Sequence, residues 1–269
     1  MSVDGSEPSY LTTAIDAVRQ AGAVQMAGLG RAIEIRKKGT IDLVTEIDLA
    51  VERMIRALIA ERHPGHDILA EEFGGPSGPR SRYCWIVDPL DGTTNYAHGL
   101  PLFCCTVALE IDGVLEVGAI YDPTRDELFT AERGKGAFLN GARLHVSETA
   151  TLIDALLVTG FPYAVQDRLQ ELVGLFSAFL GASRAVRRLG SAALDIAYVA
   201  AGRMDGFWEQ GLNAWDIAAG VLLVEEAGGR VTGIEGGPFV LRTSRIIASN
   251  GRIHDVMRHV IGTFEGSRR

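Results

Sequence analysis

Apolar side chains recur at helical spacing between residues 9 and 29, where Leu11, Ile15, Val18, Ala21 and Val24 share one face. Ser9 stands where an N-cap would satisfy the first free N–H groups, so an amphipathic helix is expected to open the fold. A second helix is expected from about Glu46 to Arg62. Ile47, Val51, Met54, Ile55 and Leu58 form its apolar stripe, and His63-Pro64-Gly65 stops it. Short strands follow at 67–70 (DILA) and 83–88 (YCWIVD), separated by a Gly/Pro/Ser-rich loop from Gly74 to Ser81. From Leu102 to Val146 the turn signals Asp112-Gly113, Asp122-Pro123 and Asn140-Gly141 break the apolar stretches, which predicts antiparallel hairpins.

After about Thr151 strands and helices alternate. Strands are expected at ALLVTG (155–160), 184–188, DGFWE (205–209) and IIAS (246–249), and helices at 165–180, 191–201, 215–227 and from about Arg252. The pattern therefore predicts a layered α/β protein. Residues 1–150 would carry an antiparallel-rich sheet flanked by helices, and residues 151–269 a mixed sheet. No repeat and no long linker separates the two, so one compact unit is expected.

The composition excludes several classes. With 47% hydrophobic and 22% charged residues the chain is an ordinary globular one, and no apolar run approaches membrane-spanning length. A net charge of −8 argues against nucleic acid as a direct ligand, since that binding draws on clustered Lys and Arg. An acidic protein can still hold a phosphate through divalent cations on its carboxylates. The polar start, MSVDGSEPSY, lacks the pattern of a secretory signal. The three cysteines, Cys84, Cys104 and Cys105, show no metal or disulfide spacing and adjoin Trp85 and Phe103. They are expected as buried strand thiols, and the cytoplasm as the compartment.

Candidate chemistry concentrates in WIVDPLDGTTN, residues 85–95. Asp88 and Asp91 lie three residues apart where an apolar strand stops, so a turn can aim both carboxylates and the Leu90 carbonyl at one point. Oxygen-only donors suit a hard cation such as Mg²⁺. The amides of Gly92, Thr93 and Thr94 would start a short helix whose positive end suits a phosphate. Asp-Pro and Asp-Gly also make plain turns, and spacing alone leaves that reading open. Glu71, beside Glu72 after DILA, is a further ligand candidate or a solvated face. Asp216, in LNAWDIAAG, is a ligand candidate or a capping acid in the first turn of a helix.

Taken together, these motifs resemble the inositol monophosphatases, within the lithium-sensitive, metal-dependent phosphatases that include fructose 1,6-bisphosphatases. The resemblance runs in order through KKGTIDLVTEID (37–48), AEEFGG (70–75), WIVDPLDGTTNYAHGLP (85–101), GKGAFLNG (134–141), RRLGSAALDIAYVAAGRMDGFWE (187–209) and WDIAAG (215–220). It implies a five-layered αβαβα sandwich and two or three Mg²⁺ ions. By resemblance, Glu71, Asp88 and the Leu90 carbonyl hold the first ion, which activates water. Asp88, Asp91 and Asp216 hold the second, at the leaving oxygen, and Glu71 contributes to a weaker third. Thr93, paired with Asp48, would orient the attacking water.

The resemblance also implies the substrate contacts. Gly190, Ser191 and Ala192 would line a sugar-like ring, Glu209 would accept its hydroxyls, and Asp91 and Asp216 would serve metal and substrate alike. A small phosphorylated polyol is thus the expected substrate, myo-inositol 1-phosphate first. Histidinol phosphate, 3′-phosphoadenosine 5′-phosphate and fructose 1,6-bisphosphate are the alternatives. Asn213 is assigned no role. Lys37 or Lys38 would approach the third-metal region, unless both are simply solvated. Arg184, Arg187 and Arg188 form the compact basic cluster, read as surface, as a contact in a homodimer, or as a site for a partner. Some bacterial relatives take part in RNA-polymerase-associated complexes.

Overall fold

The opening amphipathic stretch forms helix α1 (Tyr10–Gly28), capped by Ser9, whose Oγ accepts the N–H of Thr12 at 3.1 Å. The computed structural model describes residues 8–31, 35–37, 43–76, 81–163, 165–237, 239–242 and 244–267. A ribbon of β1 (Ile35–Lys37) and β2 (Leu43–Thr45) leads into α2 (Glu46–Arg62). Next come β3 (Asp67–Ala70), β4 (Tyr83–Asp91), the short helix α3 (Thr93–Ala97) and β5 (Cys104–Ile111). They are followed by β6 (Val114–Asp122), β7 (Glu127–Glu132), β8 (Gly136–Leu139) and β9 (Ala142–Arg143). Strands β3 to β9 make a seven-stranded sheet in chain order, antiparallel apart from the β3–β4 pair.

The second half supplies β10 (Leu156–Thr159), α4 (Leu169–Ala182), β11 (Ala185–Arg187), α5 (Ala192–Ala200) and β12 (Gly206–Gln210). Then come α6 (Ala214–Glu226), β13 (Arg230–Gly233), β14 (Arg245–Ser249) and α7 (His254–Gly266). The five strands are ordered β11-β10-β12-β14-β13. Pairing is parallel on both sides of β10 and antiparallel on both sides of β14.

Alternation along the strands decides the layering, because successive side chains point to opposite faces. On β4, Trp85 and Val87 pack with Ala14, Val18, Val51 and Ile55 of α1 and α2, while Ile86 joins the cluster on the other face with Ile196 of α5 and Ile217 of α6. On β12, Phe207 faces α5 and α6, and Trp208 faces α4 and α7, its ring stacked on Phe179 at 4.0 Å between centroids. The order is therefore α1/α2, sheet, α5/α6, sheet, α4/α7, which is the αβαβα sandwich. Helices α5 and α6 are apolar nearly all round because both their faces are covered.

The structure adds elements that the pattern did not reveal. β1, β2 and β13 have three or four residues each, too few for a period of two to register. The expected helix at 165–180 begins as a 3₁₀ turn, Val165–Arg168, and is α-helical from Leu169. The strand expected to stop at Asp88 continues to Asp91, with its register against β5 broken between those two residues. Among the described residues no helix is long and apolar enough to cross a membrane.

Candidate active site

The break in β4 is local chemistry. Pro89 has no N–H for the ladder, and the N–H of Leu90 turns back to Oδ1 of Asp88 at 2.9 Å. Gln25 of α1 supports the bulge: its Nε2 donates to the carbonyl of Pro89 at 2.8 Å and reaches that of Cys104 at 3.3 Å. Gly92 follows at φ 94°, where an added Cβ would stand 2.9 Å from the Leu102 carbonyl, so a glycine is needed to turn the chain into α3. Asn95 of α3 then donates to the carbonyls of Leu102 and Leu189 at 2.8 and 2.9 Å, tying the turn to the second half.

A cleft of ≈ 380 Å³ opens over this turn. Asp88, Leu90 and Asp91 line it from β4, Glu71 from the turn after β3, and Asp216 from the first turn of α6. Gly92, Thr93, Thr94, Gly190, Ser191, Ala192 and Glu209 complete the expected set around the same cleft. Asp48 is not in its wall. It stands behind, wholly buried, with Oδ1 3.2 Å from the Thr93 hydroxyl, which also lies 2.9 Å from the Leu90 carbonyl. The other oxygen of Asp48 accepts the Thr45 N–H at 2.8 Å and so caps α2.

Crowding of acids governs the electrostatics. Burial, then the charges of Glu71, Asp91 and Asp216, push the Asp88 carboxyl well above the usual range. Burial raises Asp91 to about 6, against the pull of the Ser191 hydroxyl and Ala193 N–H, which donate to it at 2.6 and 2.7 Å. Burial likewise lifts Asp216 to about 8, opposed by the Asn213 N–H that donates to it at 2.6 Å. Asp48 is pushed to about 6, again chiefly by burial. Such a group of carboxyls is relieved by a cation. Among the described residues no three His, Cys, Asp or Glu side chains are grouped closely enough to hold a metal ion by themselves. The donors are oxygens around an open cleft instead, which fits a hard divalent ion that keeps several waters.

The same cleft holds a carboxyl from the second sheet. Glu209, at the end of β12, is 6% exposed, and burial lifts it to about 8, partly offset by the Arg188 guanidinium. Gly160 makes room for it, since a Cβ there would stand 2.2 Å from Glu209 Oε2. Cys104 lies near Asp91 and Ser191, but burial holds its thiol well above the usual range, so it packs as a neutral group.

The family model described as the inositol monophosphatase family matches residues 7–263. This chain belongs to the inositol monophosphatase family. It is 45% identical over 248 residues to an inositol-1-monophosphatase of Mesorhizobium japonicum, covering 90% of this chain and 92% of that protein. It is also 45% identical over 246 residues to a Pseudomonas aeruginosa protein named Nus factor SuhB, covering 89% and 91% of the two chains. The structure of an inositol monophosphatase from Anabaena (Nostoc) sp. PCC 7120 superposes with a TM-score of 0.86 at 43% identity, over 94% of this chain and 95% of that one. Membership supports a phosphatase activity.

In this inositol monophosphatase-family chain several functional positions escaped the sequence reading. Glu52, four residues after Asp48 on α2, is fully buried and accepts the N–H groups of Glu72 and Phe73 at 2.8 and 3.1 Å, holding the turn that carries Glu71. Arg56, four residues further, donates to Glu52 at 2.8 Å and to the Gly74 carbonyl at 2.6 Å. The i, i+4, i+8 spacing of Asp48, Glu52 and Arg56 was the available signal. Asn213, given no role, is the N-cap of α6. The basic cluster divides: Arg184 pairs with Asp154 at 3.0 Å, and of the two exposed arginines that follow, Arg187 and Arg188, it is Arg188 that lines the cleft. Their places before, at the end of and after β11 decide this, because β11 pairs with β10, whose end leads to the cleft's Gly160. Lys38 and the side chain of Lys37 lie outside the described residues.

Proposed function

We propose that the chain is a magnesium-dependent phosphomonoesterase that prefers myo-inositol 1-phosphate and cleaves it by direct in-line attack of water. The observation that supports this is one cleft lined together by the oxygen donors, the start of α3 and buried Glu209. Glu71, Asp88 and the Leu90 carbonyl would hold one Mg²⁺, and Asp88, Asp91 and Asp216 a second. Glu71 would contribute to a weaker third. Bound Mg²⁺ supplies charge neutralisation, a lowered pKa for water and support for the leaving oxygen.

The chain's own groups do the positioning. The N–H groups of Gly92, Thr93 and Thr94 at the start of α3 receive the phosphate oxygens. The Thr93 hydroxyl donates to Asp48 and the Leu90 carbonyl, so its oxygen is left to accept a hydrogen bond from the attacking water and orient it. Gly190, Ser191 and Ala192 flank the alcohol, and Glu209 accepts its hydroxyls. Nothing here needs a protein nucleophile, and the buried neutral Cys104 is unsuited to be one.

A phosphate-release screen over myo-inositol 1-phosphate, histidinol phosphate, 3′-phosphoadenosine 5′-phosphate and fructose 1,6-bisphosphate, with and without Mg²⁺, tests the reading. About tenfold faster release from one of the others would overturn the substrate. Full Mg²⁺-dependent turnover by Asp88→Asn, or activity indifferent to chelator and to lithium, would overturn the site. A cytoplasmic homodimer is the expected form, checked by light scattering. A second reading, a partner-binding role, is favoured by the relatives named Nus factor. Rescue of a cellular phenotype by catalytically dead Asp88→Asn would support it.

A further inference from the structure

Asp195 sits in the opening turn of α5, and its side chain lines the same cleft as Glu209. It is 1% exposed, yet its Oδ1 has no hydrogen-bond partner among the described residues. Buried carboxyl oxygens are seldom left without a donor, and one that borders a ligand cleft has the ligand as the natural source of that donor. Its charged neighbours are Glu209, Asp91 and Arg188. Burial and the facing Glu209 charge hold its carboxyl well above the usual range, so it resides among these acids without needing a cation of its own.

The surroundings define what this end of the cleft can take. Arg188 makes no salt bridge among the described residues, and its guanidinium lies 5.9 Å from the centre of the Phe161 ring. Its charge acts on both carboxyls, Asp195 and Glu209. Two carboxyls set against one guanidinium leave no surplus of positive charge for a second phosphate. They offer two sets of hydrogen-bond acceptors, which neutral hydroxyls on one alcohol can satisfy together.

We propose that Asp195 is a second hydroxyl acceptor beside Glu209, and that the two together select phosphorylated polyols over simple phosphomonoesters. This rests on the phosphomonoesterase reading of the cleft and adds to it the residue that determines specificity. The acceptor role requires an oxygen at this position rather than a full charge, so Asn retains it and Ala does not.

The test compares kcat/KM for myo-inositol 1-phosphate with that for p-nitrophenyl phosphate, which carries no hydroxyls, in wild type, Asp195→Ala and Asp195→Asn. The Ala variant is expected to lower the inositol-to-nitrophenyl ratio about tenfold, mainly through KM, the size of one lost buried hydrogen bond to ligand. The Asn variant is expected to restore most of it. Inhibition of nitrophenyl phosphate hydrolysis by free myo-inositol should weaken in step in the Ala variant. Equal losses on both substrates, or an unchanged ratio, would overturn the proposal. A wild-type chain without preference for the inositol ester would remove the polyol reading itself, whereas a selective wild type with an equally selective Ala variant would remove only the role of Asp195. Thermal unfolding adds a readout independent of turnover. Because Oδ1 has no partner among the described residues, Asp195→Asn is expected to melt no lower than wild type, and a clear fall would identify a purely structural carboxyl instead.

Discussion

Glu52→Gln keeps the shape of a buried side chain but removes the charge that binds the Glu71 turn to α2. The carboxylate accepts three hydrogen bonds, from the N–H groups of Glu72 and Phe73 at 2.8 and 3.1 Å and from Arg56 Nε at 2.8 Å. A bond to a charged acceptor contributes about 1 kcal/mol more than a neutral one. The amide's NH₂ also cannot accept, so one of the three donors is left facing another donor. The expected cost is about 3 kcal/mol, a fall of roughly 5–10 °C in melting temperature for a chain of this size. Because the freed turn carries Glu71, the magnesium response should suffer as well. A loss of about tenfold in affinity removes about 1.4 kcal/mol of the stabilisation that saturating Mg²⁺ provides. Thermal unfolding of both proteins, with and without millimolar Mg²⁺, measures the two effects separately. A variant that melts within about 1 °C of wild type and shows the same magnesium-induced shift would refute the positioning role of Glu52.

Three further outcomes follow from the same geometry. Thr93→Val should lower kcat about a hundredfold or more with little change in KM, since it removes the hydroxyl directed by Asp48; steady-state kinetics with kcat within a few-fold of wild type would contradict that. Gly160→Ala should raise KM for a polyol phosphate roughly five- to a hundredfold, because its Cβ would stand 2.2 Å from Glu209 Oε2 and displace the carboxyl; an unaltered KM would contradict the close approach. His254 is buried, its ring nitrogens 2.9 Å from the Thr232 and Ser249 hydroxyls, and burial holds it down at about 4. An unfolded imidazole takes up its proton near pH 6.5, so this stabilisation is complete above that pH and is lost as pH falls toward 4, by about 3 kcal/mol in all. The stability difference between wild type and His254→Asn should therefore shrink between pH 7 and pH 4.5, and a difference constant with pH would refute the linkage.

Much of the architecture was legible in the chain. α1, α2, α5 and α6 are long or strongly patterned, and Ser9 and Ser191 stand at the N-caps where local chemistry puts them. The hairpins from β5 to β9 follow their turn residues: Asp112 and Asn140 adopt positive φ, as Asp-Gly and Asn-Gly turns require. β1, β2 and β13 were illegible because pairing, not pattern, makes them strands. Glu52 drew no notice in the sequence, since its burial against the Glu71 turn depends on contacts twenty residues away. Arg188 read as one of three clustered arginines at a surface, a subunit contact or a partner site, and the pairing of β11 with β10 brought the residue after β11 to the cleft.

The amino-acid sequence by itself determined the acids, the turn that bends DPLDGTT and the helix starts beside it, because capping, proline geometry and glycine conformation act within a few residues. Only the tertiary structure decided that Glu71, Asp88, Asp91 and Asp216 share one cleft, that Asp48 stands behind Thr93, and that Asp195 has an oxygen without a partner among the described residues. Desolvation and the mutual repulsion of carboxyls exist only once distant segments pack together, so the charge state of each acid is a property of the assembled layers and not of its motif.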